Sequence, residues 1–317
     1  MVTTAGAGSG SRVQDPMSAN QTTSEGTAYG MLIAVYMADK ATFDKLWAYG
    51  QAHMANGLMS WQIDSSGNPV AGGGVNSAAD ADEDMAWALV MADKQWPGGS
   101  YLTAAKSLLS NVKSQEINAS NNVKDGNFPN AGSSHPDYAA PDYYKVFATV
   151  SGDTTWNSVY SAEYSQLTGA QNGSTGLMPD ALNGGTFGYD ACRAPWRVGL
   201  DYCWSASAQA KTFLTPMVAY FMQTSQNGSA VSGIKIPVAI TGGTGTNNSG
   251  AITGPAAVAA MMSAGNQTLT DNSWTYLYQL VNSATSPGNI NYFSATVGLI
   301  SMLSLSANFV DYTNPPQ

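Results

Sequence analysis

Charge is what this chain has least of. Asp, Glu, Lys and Arg make up 10% of its 317 residues, against about a quarter in ordinary globular domains. Its 12 Lys and Arg residues form no cluster and its net charge is −9. Both facts argue against partners such as nucleic acid or an anionic membrane surface. Histidine is nearly missing: only His53 and His135 occur, with no Cys-x-x-Cys and no His-rich spacing. No His-based metal site is therefore expected, and no cofactor. Cys192 and Cys203 lie 11 residues apart. Within one expected helix that is about 16 Å along the axis. A disulfide needs Cα atoms within about 7 Å, so two free, buried thiols are expected. No apolar run reaches about 18 residues, which leaves no candidate membrane helix. A signal peptide is also lacking. The opening MVTTAGAGSGS reads as the start of a mature or trimmed chain, with Met1 supplied for expression.

What is present is a large apolar fraction, 44%, on a surface that must be built from Ser, Thr, Asn, Gln and Gly. Such surfaces are common in secreted proteins. No charge run or Pro-rich linker divides the chain, so one domain is expected. Helical periodicity dominates. Met85, Leu89, Ala92 and Trp96 recur at helical spacing. Ten further segments read as helices, at 29–38, 42–53, 101–112, 142–150, 157–166, 193–204, 209–222, 256–262, 274–281 and 293–305. Two long Gly/Asn-rich connections, 62–79 and 117–134, interrupt them. Connections of that length are usually functional or mobile.

Three acidic constellations stand out. In Tyr189-Asp190-Ala191-Cys192-Arg193-Ala194-Pro195-Trp196-Arg197, helical spacing puts Asp190, Arg193, Arg197 and Asp201 on one stripe. A nearby guanidinium keeps a carboxylate ionised, the state a general base needs; a structural ion ladder is the other reading. In Thr23-Ser24-Glu25-Gly26-Thr27-Ala28-Tyr29-Gly30, Ser24 suits an N-cap and Glu25 the first helical turn. Glu25 could simply complement the helix dipole. Gly26 and Gly30 are costly there, which suggests close approach of a ligand. In Asp80-Ala81-Asp82-Glu83-Asp84, four acids precede an apolar face. Their spacing is not that of an EF-hand, so dipole capping and sugar binding remain as readings. Eight Trp and 16 Tyr accompany these acids. Trp61, Tyr138, Tyr189 and Tyr292 fall in or beside connections, where aromatic faces could stack on pyranose rings; core packing is the commoner fate.

These motifs, in this order, resemble the family 8 glycoside hydrolases, inverting endo-acting enzymes with an (α/α)6 barrel. Ser24-Glu25-Gly26 followed by Tyr29-Gly30-Met31 is similar to the family's acid motif. Residues 78–96 are similar to its Asp-rich signature, and residues 189–197 to its base motif. Pro141, Tyr143-Tyr144 and Tyr292 match further positions, and the resemblance spans about residues 11–310. It implies Glu25 as proton donor, Asp190 as general base and Asp80 as the acid holding the sugar at the cleavage point. It also implies Tyr189, Arg193 and Tyr292 as supporting groups, and Trp61 as a stacking platform; Tyr138 is expected to line the same groove because it lies in a connection. Two departures stand out. Ala79 replaces the family's usual Ser or Thr before the first signature Asp, removing a hydroxyl that could orient Asp80. Residues 1–23 lack the barrel helix that normally precedes the acid motif.

The expectation is an all-α (α/α)6 barrel, either complete or lacking its first helix. Residues 1–12 are a disordered or extended segment and 13–317 a single catalytic domain. The activity expected is inverting, endo-acting hydrolysis of a β-1,4-linked polysaccharide, foremost cellulose or another β-1,4-glucan. Chitosan, xylan and mixed-linkage glucan are alternative substrates. A non-catalytic glycan-binding protein is the alternative of another class. The protein is expected to be secreted and monomeric, with a polysaccharide as its only partner.

Overall fold

The computed structural model describes residues 2–283 and 291–314. Eleven α-helices occur among them. They are α1 (Ser24–Tyr36), α2 (Lys40–Ala52), α3 (Ala79–Gln95), α4 (Tyr101–Glu116), α5 (Pro141–Ser151) and α6 (Thr155–Ala170), then α7 (Ala194–Ser205), α8 (Ala208–Thr224), α9 (Gly250–Ala260), α10 (Gln267–Ser283) and α11 (Tyr292–Leu305). Each periodic segment read from the sequence overlaps one of these helices.

The odd and even helices differ in chemistry, and that difference builds two layers. Helices α1, α3 and α9 are buried almost all round, whereas α2, α4, α6 and α8 bury one stripe each. A helix apolar on every side must lie inside; an amphipathic one covers it. The odd helices pack in sequence, and α11 returns to α1, so the inner ring is closed. Each even helix lies outside its neighbours. This is the (α/α)6 barrel. Its outer layer has no helix between α11 and α1 among the described residues, so the gap lies in the outer layer rather than through the barrel.

Residues 2–23 take a different form. Val2–Thr3 pairs antiparallel with Arg12–Val13, and Thr22–Thr23 with Gln62–Ile63. Arg12 is buried and organises the segment. Its Nε donates to Ala5 O at 2.6 Å, and its Nη1 to Asn20 O at 2.6 Å and Thr22 Oγ1 at 3.0 Å. The 117–134 connection is ordered by acids in the same way. Glu163 of α6 accepts the Val123 N–H at 2.8 Å, and Asp125 accepts those of Ser134 and His135.

Three local expectations are corrected. The N-cap of α1 is Thr23, not Ser24; its hydroxyl accepts the Gly26 N–H at 3.0 Å. Gly30 makes room for core side chains rather than a ligand, since a Cβ there would lie 2.8 Å from Val13. Both cysteines are free, but only Cys192 is buried while Cys203 is exposed. Cys192 sits in a 3-10 turn (Ala191–Arg193) before α7, so the helical period does not set its direction.

The Arg12 contacts yield a stability prediction. Arg12→Ala should cost about 2–4 kcal/mol, because several buried acceptors lose a charged donor. Urea denaturation measures the loss, and amide exchange should show it centred on residues 5–22.

Candidate active site

The N-terminal ends of the inner helices converge at one mouth of the barrel. Glu25 opens α1, Asp80 opens α3, Arg193 immediately precedes α7 and Tyr292 opens α11. A 3-10 turn (Pro136–Tyr138) ahead of α5 adds Asp137 and Tyr138. Helix N-termini carry partial positive charge, which suits a collection of carboxylates.

Arg193 is the centre of this collection. It is 2% exposed and faces four carboxylates. Its Nη1 donates to Glu25 Oε2 and Asp80 Oδ2, both at 2.6 Å. Its Nη2 donates to Asp137 Oδ2 at 2.5 Å and Asp190 Oδ1 at 3.3 Å. The Tyr138 ring lies 5.4 Å from the guanidinium carbon and the Phe293 ring 6.0 Å. One cation cannot neutralise four anions, so protons must make up part of the difference. Burial pushes Glu25 up to about 7; Arg193 opposes that shift and Asp80 adds to it. Burial likewise pushes Asp137 up to about 6, again against Arg193.

Glu25 is held on its other oxygen by Tyr292, whose hydroxyl donates to Oε1 at 2.7 Å. Thr23 Oγ1 lies 3.1 Å from the same tyrosine oxygen and is positioned to donate to it. Asp190 is 49% exposed and faces open space. Its backbone is fixed by Asp180, whose Oδ1 accepts the N–H groups of Gly188 at 2.8 Å, Asp190 at 3.2 Å and Ala191 at 2.8 Å. Gly188 has to be glycine for this, as a Cβ would meet Asp180 Oδ2 at 2.3 Å. An open pocket of about 430 Å³ is lined by Glu25, Tyr189, Asp190, Asn291, Tyr292, Phe293 and Ser294.

The structure therefore brings Glu25, Tyr189, Asp190 and Tyr292 to one pocket, with Arg193 and Asp80 beneath it and Tyr138 against Arg193. Trp61 does not line this pocket. It is 37% exposed, and its carbonyl accepts the Ser24 N–H at 2.9 Å, which puts its backbone beside Glu25. Asp80 Oδ1 is buried and has no hydrogen-bond partner. Ala79, with no hydroxyl, cannot supply one.

The single stripe from Asp190 to Asp201 is not what forms. Asp190 precedes the helix. Arg197 turns inward to Asp84, with paired bonds of 3.0 and 2.8 Å and both side chains fully enclosed. Asp201 accepts from Tyr160 at 3.0 Å and Tyr164 at 2.5 Å. Dipole capping does not explain the acids of α3 either, since all four are buried. Successive helical residues point about 100° apart, so each acid meets a different partner. Asp137 and Asp180 escaped the sequence reading. The only local sign of each is a preceding proline, in Pro136-Asp137 and Pro179-Asp180, which marks a turn and not a charge partner.

An (α/α)6 barrel with two carboxylates on either side of one guanidinium, over an open aromatic-edged pocket, has the layout of an enzyme that cleaves glycosidic bonds. Comparison with known proteins agrees. The profile of "Glycosyl hydrolases family 8" matches residues 1–306. "Endoglucanase 2" of Ruminiclostridium josui is 33% identical over 100% of this chain and 71% of its own length. "Endoglucanase C" of Ruminiclostridium cellulolyticum is 34% identical, covering 97% of this chain and 68% of its own. The solved β-1,3-1,4-glucanase of Paenibacillus sp. X4 superposes with a TM-score of 0.86 at 29% identity, over 97% of this chain and 88% of that one. The chain belongs to glycosyl hydrolases family 8 and is a glycoside hydrolase. Among the described residues no helix is long and apolar enough to cross a membrane.

Arg193 gives the second prediction. Arg193→Leu should lower stability at neutral pH by about 3–5 kcal/mol, the cost of leaving buried carboxylates without their cation. The deficit should shrink as pH falls below about 6, where Glu25 and Asp137 are protonated and need it less. Urea midpoints at acid and neutral pH measure both parts.

Proposed function

We propose that this chain is an endo-acting hydrolase of β-1,4-linked glucan that works by single displacement, with Glu25 as general acid and Asp190 as general base. The observation that carries this reading is the guanidinium bridge. Arg193 contacts Glu25 through one terminal nitrogen at 2.6 Å and Asp190 through the other at 3.3 Å. One guanidinium thus ties both carboxyls to the same pocket, which supports a pairing across the roughly 6.5–9.5 Å that an attacking water needs.

The environments differ in the direction the roles require. Glu25 is largely enclosed, raised to about 7 and able to carry a proton to the leaving oxygen at neutral pH. Asp190 projects into the pocket with Arg193 at its back, where it can take a proton from water. Asp80 shares Arg193 Nη1 with Glu25, which supports its place beside the sugar at the cleavage point. Tyr189, Arg193 and Tyr292 surround that sugar, Tyr138 steadies Arg193, and Trp61 offers an exposed ring for a neighbouring sugar. The reading takes residues 13–317 as one catalytic domain acting as a monomer outside the cell, where such polymers lie.

Mixed-linkage β-1,3-1,4-glucan is the second reading of the substrate. It is favoured by the superposition on a β-1,3-1,4-glucanase over nearly the whole chain. Reducing-sugar release from carboxymethylcellulose, barley glucan, xylan and chitosan decides among them; highest kcat/KM on xylan or chitosan would overturn both glucan readings.

Further predictions test the mechanism. Asp190→Asn and Glu25→Gln should each lower kcat by at least about 10²–10⁴ while leaving fold and binding nearly intact. The first product seen by NMR should be the α-anomer; an initial β-anomer would remove Asp190 from its role as base. Trp61→Ala should raise KM more than it lowers kcat. The pH dependence follows from Glu25. As a proton donor with a value of about 7, it should make kcat/KM decline as pH rises through about 7, and Glu25→Gln should have no such limb in its residual activity.

A further inference from the structure

Beneath the α3 side of the groove lies a pair of acids that the proposed mechanism does not use. Asp82 of α3 and Glu116, the last residue of α4, are both fully buried. Each has one occupied oxygen. Asp82 Oδ1 accepts the Met59 N–H at 3.3 Å, and Glu116 Oε1 accepts the Ser77 hydroxyl at 2.5 Å. Each also has one buried oxygen with no donor, Asp82 Oδ2 and Glu116 Oε2. The two side chains are within hydrogen-bonding reach of each other. A single proton between them would satisfy both.

What the pair holds matters more than the pair itself. Met59 is two residues before Trp61, whose N–H donates to Asn76 O at 2.7 Å and whose carbonyl accepts the Ser24 N–H next to Glu25. Ser77 is three residues before Asp80. It also exchanges hydrogen bonds with Asn127, through Ser77 N to Asn127 Oδ1 at 2.9 Å and Asn127 N to Ser77 Oγ at 3.2 Å. The two carboxyls thus join the Trp61 turn, the start of α3 and the 117–135 connection at one buried point.

We propose that Asp82 and Glu116 share one proton and act as a positioning pair, setting Trp61 and Asp80 in register with each other at the groove. The roles of Trp61 and Asp80 rest on the function proposed above; the shared proton does not. Two ionised carboxyls here would face further negative charge from Asp80 and Glu83, with Lys124 the cation acting on Glu116. Burial raises both acids, Glu116 to about 8, in line with a retained proton. The sign for stability follows. The folded protein keeps a proton that the unfolded chain releases near the usual 4.5, so this pair makes stability fall with rising pH up to about 8 and level off above. Glu25, Glu163 and Asp137 contribute similar slopes only up to about 7, 7 and 6, while the buried Glu83 and Asp142, raised well above the ordinary carboxylate range, add a background slope.

Glu116→Gln and Asp82→Asn replace the shared proton with a permanent amide N–H, whereas Asp82→Ala removes the link. Tm should be followed across pH for wild type and Glu116→Gln, and kcat/KM measured near pH 6, where Glu25 is protonated. The wild-type fall in Tm between about pH 7 and 8 should be shallower in Glu116→Gln; an unchanged fall would overturn the shared proton, whatever the substrate. Asp82→Ala should lose about tenfold in kcat/KM on the preferred glucan, with Asp82→Asn restoring most of it. A folded Asp82→Ala with wild-type kcat/KM, or an Asp82→Asn no better than it, would overturn the positioning role. Should Asp82→Ala not fold, Asp82→Asn and the Tm comparison still decide.

Discussion

One buried guanidinium holds the mouth of this barrel together. Arg193 meets acids delivered by α1, α3, the turn before α5 and the turn before α7, segments far apart in the chain. Arginine suits this place because its planar fork serves several oxygens at once and keeps its charge when enclosed. A lysine would offer the charge but not the fork. The cation in turn draws the carboxylates together, while burial, against its pull, raises Glu25 and Asp137.

The barrel makes such crowding tolerable. Its inner helices are buried on most sides, so polar groups on them must find partners inside the protein or at the mouth. The acids of α3 show the range of solutions. Asp80 takes Arg193, Asp84 takes Arg197, Glu83 takes the Tyr144 hydroxyl at 3.4 Å, and Asp82 lies against Glu116. Aromatic packing closes the other end. Trp87 stacks on Tyr143 and Trp204, and Tyr36 lies against Phe309 and Tyr312 of the C-terminal tail. A stiff inner ring leaves the loops at the mouth to shape the groove.

Local chemistry made much of this legible in the amino-acid sequence. Helical periodicity depends on near neighbours, so all eleven helices could be read from it. A chain with no His or Cys cluster and few cations narrowed the chemistry to carboxylates and aromatics. Motif order then singled out Glu25, Asp80 and Asp190. Residues 2–23 could be read as lacking a helix, for want of an apolar face.

Tertiary structure decided what depends on distant partners. Arg193 read as a neighbour of Asp190 along one helix; folding made it the shared partner of Glu25, Asp80 and Asp137 as well. Arg197, one turn on, was drawn to Asp84 instead. The roles of Asp137, Asp180 and the Asp82–Glu116 pair left no local trace, because an acid's role is set by what lies across space from it. The same holds for Glu25: its place at a helix start was visible, but its raised proton affinity comes from burial and from charges on other helices. Sequence spacing fixes direction only within one element, while electrostatics acts between elements, and only the closed barrel brings those elements together.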